Sequence, residues 1–472
     1  MVFSSSLFLL YFLPIFLLVY SLAPKILKNY IILAASILFY SWGAPKFVFV
    51  ILGSTIIDFY IVRKLHQALE EKQRKLFLSI SIFLNLGLLL YFKYANFFVD
   101  NVNAVLHSFG VEELAWTSVI LPIGISFYTF QTLTYSIDVY RKLHTPLEKV
   151  TDYLLYIMSF PQMIAGPIVR FTTIADQIKD RADSIDDKLI GFFRFCIGLA
   201  KKVLIANLMG EQADLIFNSD YNSLSTSMAW IGMLAYTFQI YFDFAGYSDM
   251  AIGLGRMMGF RFPENFNSPY ISKSITEFWR RWHITLGNFM RDYLYIPLGG
   301  NRVDTKSRLF FNLWFVFLLS GLWHGASWNY VIWGAYHGLF LILERVFLKK
   351  KLQKMGSFLS TLLTFLIVMF GWVIFRIEET SLIPSYFEKL FSFRGNGEVD
   401  TIVSFWWVLG VAVFFSFLTA FKKGKKMEHS FTKEYFSTFQ YFSFAIVSVF
   451  LFFWSVSFIT STGFNPFIYF RF

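Results

Sequence analysis

Charge is what this sequence has least of. Asp, Glu, Lys and Arg make up 15% of its 472 residues, against roughly 25% in soluble domains, and that deficit excludes an ordinary water-facing domain. Cysteine is almost absent. The single Cys196 excludes an internal disulfide and a cysteine-based metal cluster. Within GFFRFCIGLA it reads as a small packed hydrophobe rather than a nucleophile. No HExxH pattern and no Cys/His pair at ligand spacing occurs, and the acidic residues near apolar segments (Asp58, Asp138, Asp243 and Asp249) are scattered. No metal site is therefore expected. Asp138 and Asp243 read as ties to buried Arg or Tyr. No cleavable leader is expected either: the apolar run 7–22 has no Lys or Arg ahead of it and no obvious small-residue cleavage site, so it is read as a retained first helix.

What the chain has is apolar length. It is 56% hydrophobic and 21% aromatic, with 61 Phe. Stretches suited to about 30 Å of hydrocarbon recur throughout, which predicts an all-α, polytopic helical membrane protein with about 11–13 membrane segments. Candidate segments fall near 7–23, 30–42, 47–62, 76–93, 117–139, 152–169, 189–207, 226–247, 308–322, 327–347, 358–376, 402–421 and 440–458. Several are short enough to be tilted or re-entrant. The net charge of +11 does not point to nucleic acid, because the basic residues sit in short loops between apolar runs. Lys- and Arg-rich loops (25–28, 63–75, 141–142, 349–354 and 422–426) read as cytoplasmic, and loops 94–116 and 377–401 as outward-facing. Parity then requires one non-crossing segment. The piece 152–169, interrupted by Pro161, Gly166 and Pro167, is the choice, with both termini outside and a cytoplasmic C-terminus as the alternative. The organisation expected is one integral-membrane domain over 1–472: N-terminal helices in 1–150, a core in 151–347 and C-terminal helices with an aromatic tail in 348–472.

The stretch 256–308 lacks a spanning signal but carries an amphipathic pattern. Ser274-Ile275-Thr276-Glu277 has the form of a capping box, and apolar residues follow at three-four spacing, predicting an interfacial helix over 273–293. Its basic residues, Arg280 and Arg281 among them, suit a cytoplasmic face where anionic phosphates are found.

Two histidines stand out against this background: His283 in EFWRRWHITLGNF and His324 in LLSGLWHGASWNY. Ionisable groups in membrane-embedded sequence are costly and therefore functional candidates. His324, between glycines and tryptophans, suits a general base taking a proton from an attacking hydroxyl, and equally a core histidine satisfied by one backbone carbonyl. His283 suits substrate binding or proton transfer, and equally an interfacial histidine. His337 would lie about 140° from His324 on a straight helix, so packing is the reading there. His66, His107, His144 and His429 are assigned to loops. The C-terminus, NPFIYFRF, is unusually aromatic. It suits either a membrane-interface anchor or a segment docked near a site, where the Tyr469 hydroxyl could carry an acyl group.

Taken together, the blocks FQTLTYSIDVYR (130–141), SFPQMIAGPIVRF (159–171), YFDFAGYSDMAIG (241–253), NSPYISKSITEFWRRWHITLGNFMRDYLYIPLGGNR (267–302), SGLWHGASWNYVIWGAYHG (320–338) and PFIYFRF (466–472) resemble the membrane-bound O-acyltransferase family. The likeness is to its bacterial branch that includes alginate O-acetyltransferases. It implies a helical funnel or tunnel in the bacterial cytoplasmic (inner) membrane, His324 at the family's catalytic histidine and His283 at its second polar site residue. It implies a cytoplasmic acyl donor, read as acetyl-CoA with no permanently bound cofactor, and the basic helix is read as placing the donor phosphates near Arg280 and Arg281. An extracytoplasmic polysaccharide such as alginate is the implied acceptor, an SGNH-like acetyltransferase the implied partner outside, and Tyr469 a candidate acyl relay. D-alanyl transfer to a teichoic acid is the neighbouring expectation. A proton-coupled transporter is the rival from another class.

Overall fold

The computed structural model describes residues 1–181, 184–393, 401–431 and 436–468. Every regular element among them is helical. A chain destined for hydrocarbon must satisfy its backbone N–H and C=O groups within each segment, and helices do this. Among the described residues, five helices are long and apolar enough to cross a bilayer: Lys25–Gly43, Glu71–Ser108, Trp328–Lys354, Gly356–Arg376 and Thr438–Thr462. Two shorter apolar helices, Phe8–Leu22 and Phe405–Ala420, accompany them. Thr438–Thr462 turns Phe450, Phe453 and Trp454 outward, a surface suited to lipid.

Some expected segments are redrawn. The stretch predicted from 117 becomes helical only at Ile125, because Gly124 turns the chain at φ +78 and a Cβ there would lie 2.6 Å from the Met163 carbonyl oxygen. Segment 152–169 is broken after Val150–Met158 and resumes briefly as Phe160–Met163, the interruption that Pro161 predicts. Segment 189–207 runs longer than expected: Ile185–Ala200 passes through a π-helical turn, Lys201–Ala206, into Asn207–Phe217. His66 and His107, assigned to loops, stand exposed in the last turns of helices Phe47–Gln67 and Ala95–Ser108, and position 429 falls within helix Lys422–Phe431.

The chain divides into two compact units, 1–188 with 254–263, and 189–253 with 264–472. In the first, one buried carboxylate ties four helices. Asp58 accepts from Ser81 Oγ, Asn85 Nδ2 (3.0 Å) and the Tyr153 hydroxyl (2.6 Å), and Ser81 also meets Ser136 at 2.6 Å. A buried charge is tolerated when each of its oxygens is satisfied in this way. Nearby, the ring of Phe160 packs against Phe8, Phe12, Phe16 and Phe39 at centroid distances of 5.1–6.3 Å.

The second unit is built around residues 226–253 of the long helix Thr226–Met257. It is apolar on nearly all sides, which is why it runs through the core and not over its surface. Beside it, Lys306–His324 and Trp328–Leu343 form an antiparallel hairpin. Glycine makes the hairpin tight. A Cβ on Gly321 would lie 2.2 Å from the Tyr330 carbonyl oxygen, and one on Gly334 2.4 Å from that of Phe317. Cys196 is fully buried, as a packed hydrophobe should be.

Candidate active site

His324 closes the first arm of this hairpin. The helix ends at His324, Gly325 is extended, and the second arm starts at Trp328. His324 and His337 therefore lie on different helices, and the straight-helix offset expected between them does not apply. The tight turn at Gly325 is the reason: a Cβ there would collide with the Tyr330 ring at 2.1 Å. The His324 imidazole is 8% exposed and meets Trp323, Trp333 and Phe375 at 5.0, 5.2 and 5.3 Å. His337 is fully buried one ring further on, 5.1 Å from Trp333 and 5.0 Å from Trp279. That environment fits the packing role read for it.

His283 is set differently, and the single helix expected over 273–293 is overturned here. Ile275–Arg281 starts as read, with Ser274 Oγ accepting from the Glu277 amide at 3.1 Å, but it stops before Trp282. His283 takes a left-handed conformation, φ +45 and ψ 53, and a second helix begins at Ile284. For a non-glycine residue this backbone costs on the order of 1–3 kcal/mol and persists only when its surroundings hold it. They do. The Asn267 amide donates to the Arg281 carbonyl and the Ile284 amide to the Asn265 carbonyl, each at 2.9 Å.

Asn265 also fixes the ring. Its Oδ1 accepts from the Thr285 amide (3.3 Å) and Thr285 Oγ1 (2.9 Å), while its Nδ2 donates to Ser248 Oγ (3.0 Å). A backbone amide can only donate, so Oδ1 is the acceptor in this network. His283 Nδ1, 3.0 Å from that oxygen, must then carry a proton. In the neutral ring the lone pair is left on Nε2. Burial, with the His324 imidazole adding to it, pushes His283 well below the ordinary 6.5, so the ring is neutral near pH 7.

The two imidazoles meet. Their centroids are 6.5 Å apart, with Phe244 edge-on to His283 at 4.6 Å and Trp323 at 6.0 Å. Two titratable rings thus lie together inside an aromatic enclosure, both of them buried. Of the two arginines read as phosphate contacts, Arg281 is committed elsewhere: it pairs with Glu277 at 2.9 Å and donates to the Asn267 carbonyl at 3.0 Å. Arg280 is exposed on the same helix. Tyr469 lies outside the described residues.

Sequence reasoning missed Asn265, Ser248 and Thr285. Asn265 sits in PENFNSPY, where Pro, Asn and Ser signal a turn. Nothing in that string points at a histidine 18 residues away.

A polytopic helical protein with a buried pair of imidazoles at a break in an interfacial segment is the class this architecture defines. Residues 76–350 match the profile of the membrane-bound O-acyltransferase family, and the chain belongs to that family. It is 46% identical over 394 residues to a protein named probable alginate O-acetylase from Pseudomonas aeruginosa, covering 83% of this chain and 75% of the relative. It is 38% identical over 414 residues to the peptidoglycan O-acetyltransferase of Helicobacter pylori, covering 80% of this chain and 77% of the relative. With the teichoic acid D-alanyltransferase of Bacillus subtilis it shares 32% identity over 278 residues, 54% of this chain and 68% of that one. It is a multi-pass membrane O-acyltransferase.

Proposed function

We propose that this enzyme takes an acetyl group from acetyl-CoA on the cytoplasmic side and passes it across the cytoplasmic (inner) membrane for O-acetylation of an extracytoplasmic polysaccharide. Alginate, or another exopolysaccharide, is the acceptor class favoured by the relatives' names. The observation that carries the reading is the meeting of His283 and His324 inside one aromatic enclosure. A thioester is already activated, so the protein needs to align the reactants, exclude water and move one proton. His324 takes the proton of the attacking hydroxyl as its oxygen bonds to the acetyl carbon. The C–S bond breaks, and the proton leaves with the coenzyme thiol. His283, its Nδ1 held by Asn265, offers Nε2 as a fixed acceptor for orienting hydroxyl or thiol. Arg280 serves the donor phosphates.

The attacking hydroxyl is that of Tyr469, giving an aryl ester that remains a competent acyl donor. A polysaccharide hydroxyl, brought by an SGNH-like acetyltransferase partner outside, then displaces the phenol. The test uses purified enzyme with acetyl-CoA and, in parallel, a D-alanyl carrier thioester. Thiol release and acetyl on Tyr469, read by mass spectrometry and lost in His324→Ala, support the reading. Turnover with the D-alanyl donor alone would replace acetyl with D-alanine. Ion flux in liposomes without acyl transfer would replace the enzyme with a transporter.

A further inference from the structure

The last described residues do not lie loosely at the membrane interface; they end in the core of the second unit. Helix Thr438–Thr462 stops at Gly463, whose φ of +65 reverses the chain. Four and five residues further on, Phe467 and Ile468 are 5% and 3% exposed. What receives them is a buried ion pair. Lys202, in the π-helical turn, and Asp243, in the middle of the long helix, lie 2.8 Å apart with side chains 1% and 3% exposed. Asp243 was expected to pair with Arg or Tyr. Its partner is a lysine, and its second oxygen takes the tail itself.

Two charges withdrawn from water cost several kcal/mol each unless further hydrogen bonds complete them. Here much of that completion comes from the tail. The Ile468 amide donates to Asp243 Oδ2 at 2.9 Å. Lys202 Nζ donates to the Pro466 carbonyl, and to Asn207 Oδ1 at 2.6 Å. Asn207 Nδ2 in turn donates to the Phe464 carbonyl at 3.2 Å and to Asn465 Oδ1 at 3.3 Å. Phe467 stacks on Tyr247, 4.5 Å between centroids. These contacts use backbone carbonyls and an amide of residues 464–468, the way a receptor groove reads a peptide.

The long helix carries this receptor beside the histidine support. Asp243 and Tyr247, four residues apart, share one stripe and hold the tail. Phe244 and Ser248, about 100° round, hold the His283 ring and its Asn265 partner. Ile468 belongs to the same buried cluster as Trp282, Trp333 and Phe375.

We propose that Lys202, Asp243 and Asn207 form a latch that seats residues 464–468 in the core, and that they are positioning residues through which the tail reaches the acyl-transfer site. The second half rests on the reading that the tail takes part in transfer. The test uses the full chain in nanodiscs with Phe467→Cys as a reporter, Cys196 being buried. With the latch intact, a soluble maleimide alkylates position 467 slowly. In Lys202→Met/Asp243→Asn, alkylation accelerates at least tenfold and acyl transfer falls at least tenfold. In a chain ending at Gly463, the same double substitution lowers the melting temperature less than it does in the full chain.

Unchanged alkylation would overturn the latch. So would an equal drop in melting temperature in the shortened and full chains, since the pair would then be a structural tie independent of the tail. Faster alkylation with undiminished transfer would keep the seating and overturn the tail's part in the reaction. Asn207→Leu, which leaves the ion pair in place, gives a smaller shift in the same direction and serves where the double variant does not fold.

Discussion

At the scale of single residues, the two histidines carry different burdens. Removing the base from a general-base step costs about 10²–10⁴ in rate. His324→Ala is therefore expected to lose transfer by that factor while its melting temperature stays near that of the parent, as measured on purified protein. For His283 the controlling residue is Asn265. Asn265→Ala frees the ring to choose its tautomer, and transfer is expected to fall tenfold or more. Asn265→Asp keeps an acceptor on Nδ1 but adds a negative charge, which favours the imidazolium. The acid limb of its pH–rate profile should move to higher pH, and an unmoved limb would contradict the tautomer assignment.

Linkage gives an independent check on His283. The folded protein resists protonating the ring, whereas the unfolded chain takes up the proton near 6.5. A group depressed on folding contributes fully above its unfolded value and loses that contribution as pH falls below it. Thermal melts at about pH 7.5 and about pH 5 should show a drop in the parent that is smaller in His283→Gln.

At the scale of elements, the position of His324 depends on how closely two helix arms approach. Gly321→Val must displace the Tyr330 backbone, and overpacking of this kind costs about 1–3 kcal/mol. The expected result is a lower melting temperature together with a loss of transfer, because the ring moves with the arm. Apolar length announced the two hairpin segments, and their glycines were visible in SGLWHG and IWGAYHG. The break at Trp282–His283 was not visible, since its apolar spacing runs on through 293 as though one helix continued. Local pattern lost to a distant carboxamide. Three hydrogen bonds accepted by the Asn265 carboxamide oxygen stabilise a backbone conformation that no propensity for histidine would select. In the first unit, the Asp58 tie is the corresponding feature. Asp58→Ala removes the acceptor of the Tyr153 hydroxyl, and an unpaired buried polar group costs about 1–3 kcal/mol; a lower melting temperature is the expected readout.

Over the whole molecule, aromatic content divides between two solvents. Trp333 and Trp372 are 0% and 1% exposed, whereas Trp407 and Trp454 are 83% and 52% exposed. Brominated lipids quench tryptophans that face the acyl chains. Replacing Trp407 or Trp454 with Phe should lower the quenched fraction of fluorescence, and replacing Trp333 should leave it unchanged.

The sequence alone determined the class of protein, the helical architecture, the candidate histidines and the family, because a shortage of charge and runs of apolar residues act locally and can be counted along the chain. Only the tertiary structure decided that His283 and His324 share an enclosure, which tautomer Asn265 imposes, and that Asp243 pairs with Lys202 and receives the tail. These are contacts between residues 18 to 225 positions apart. Their energy comes from satisfying polar groups where water is absent, and a one-dimensional pattern records which groups are present but not which ones meet.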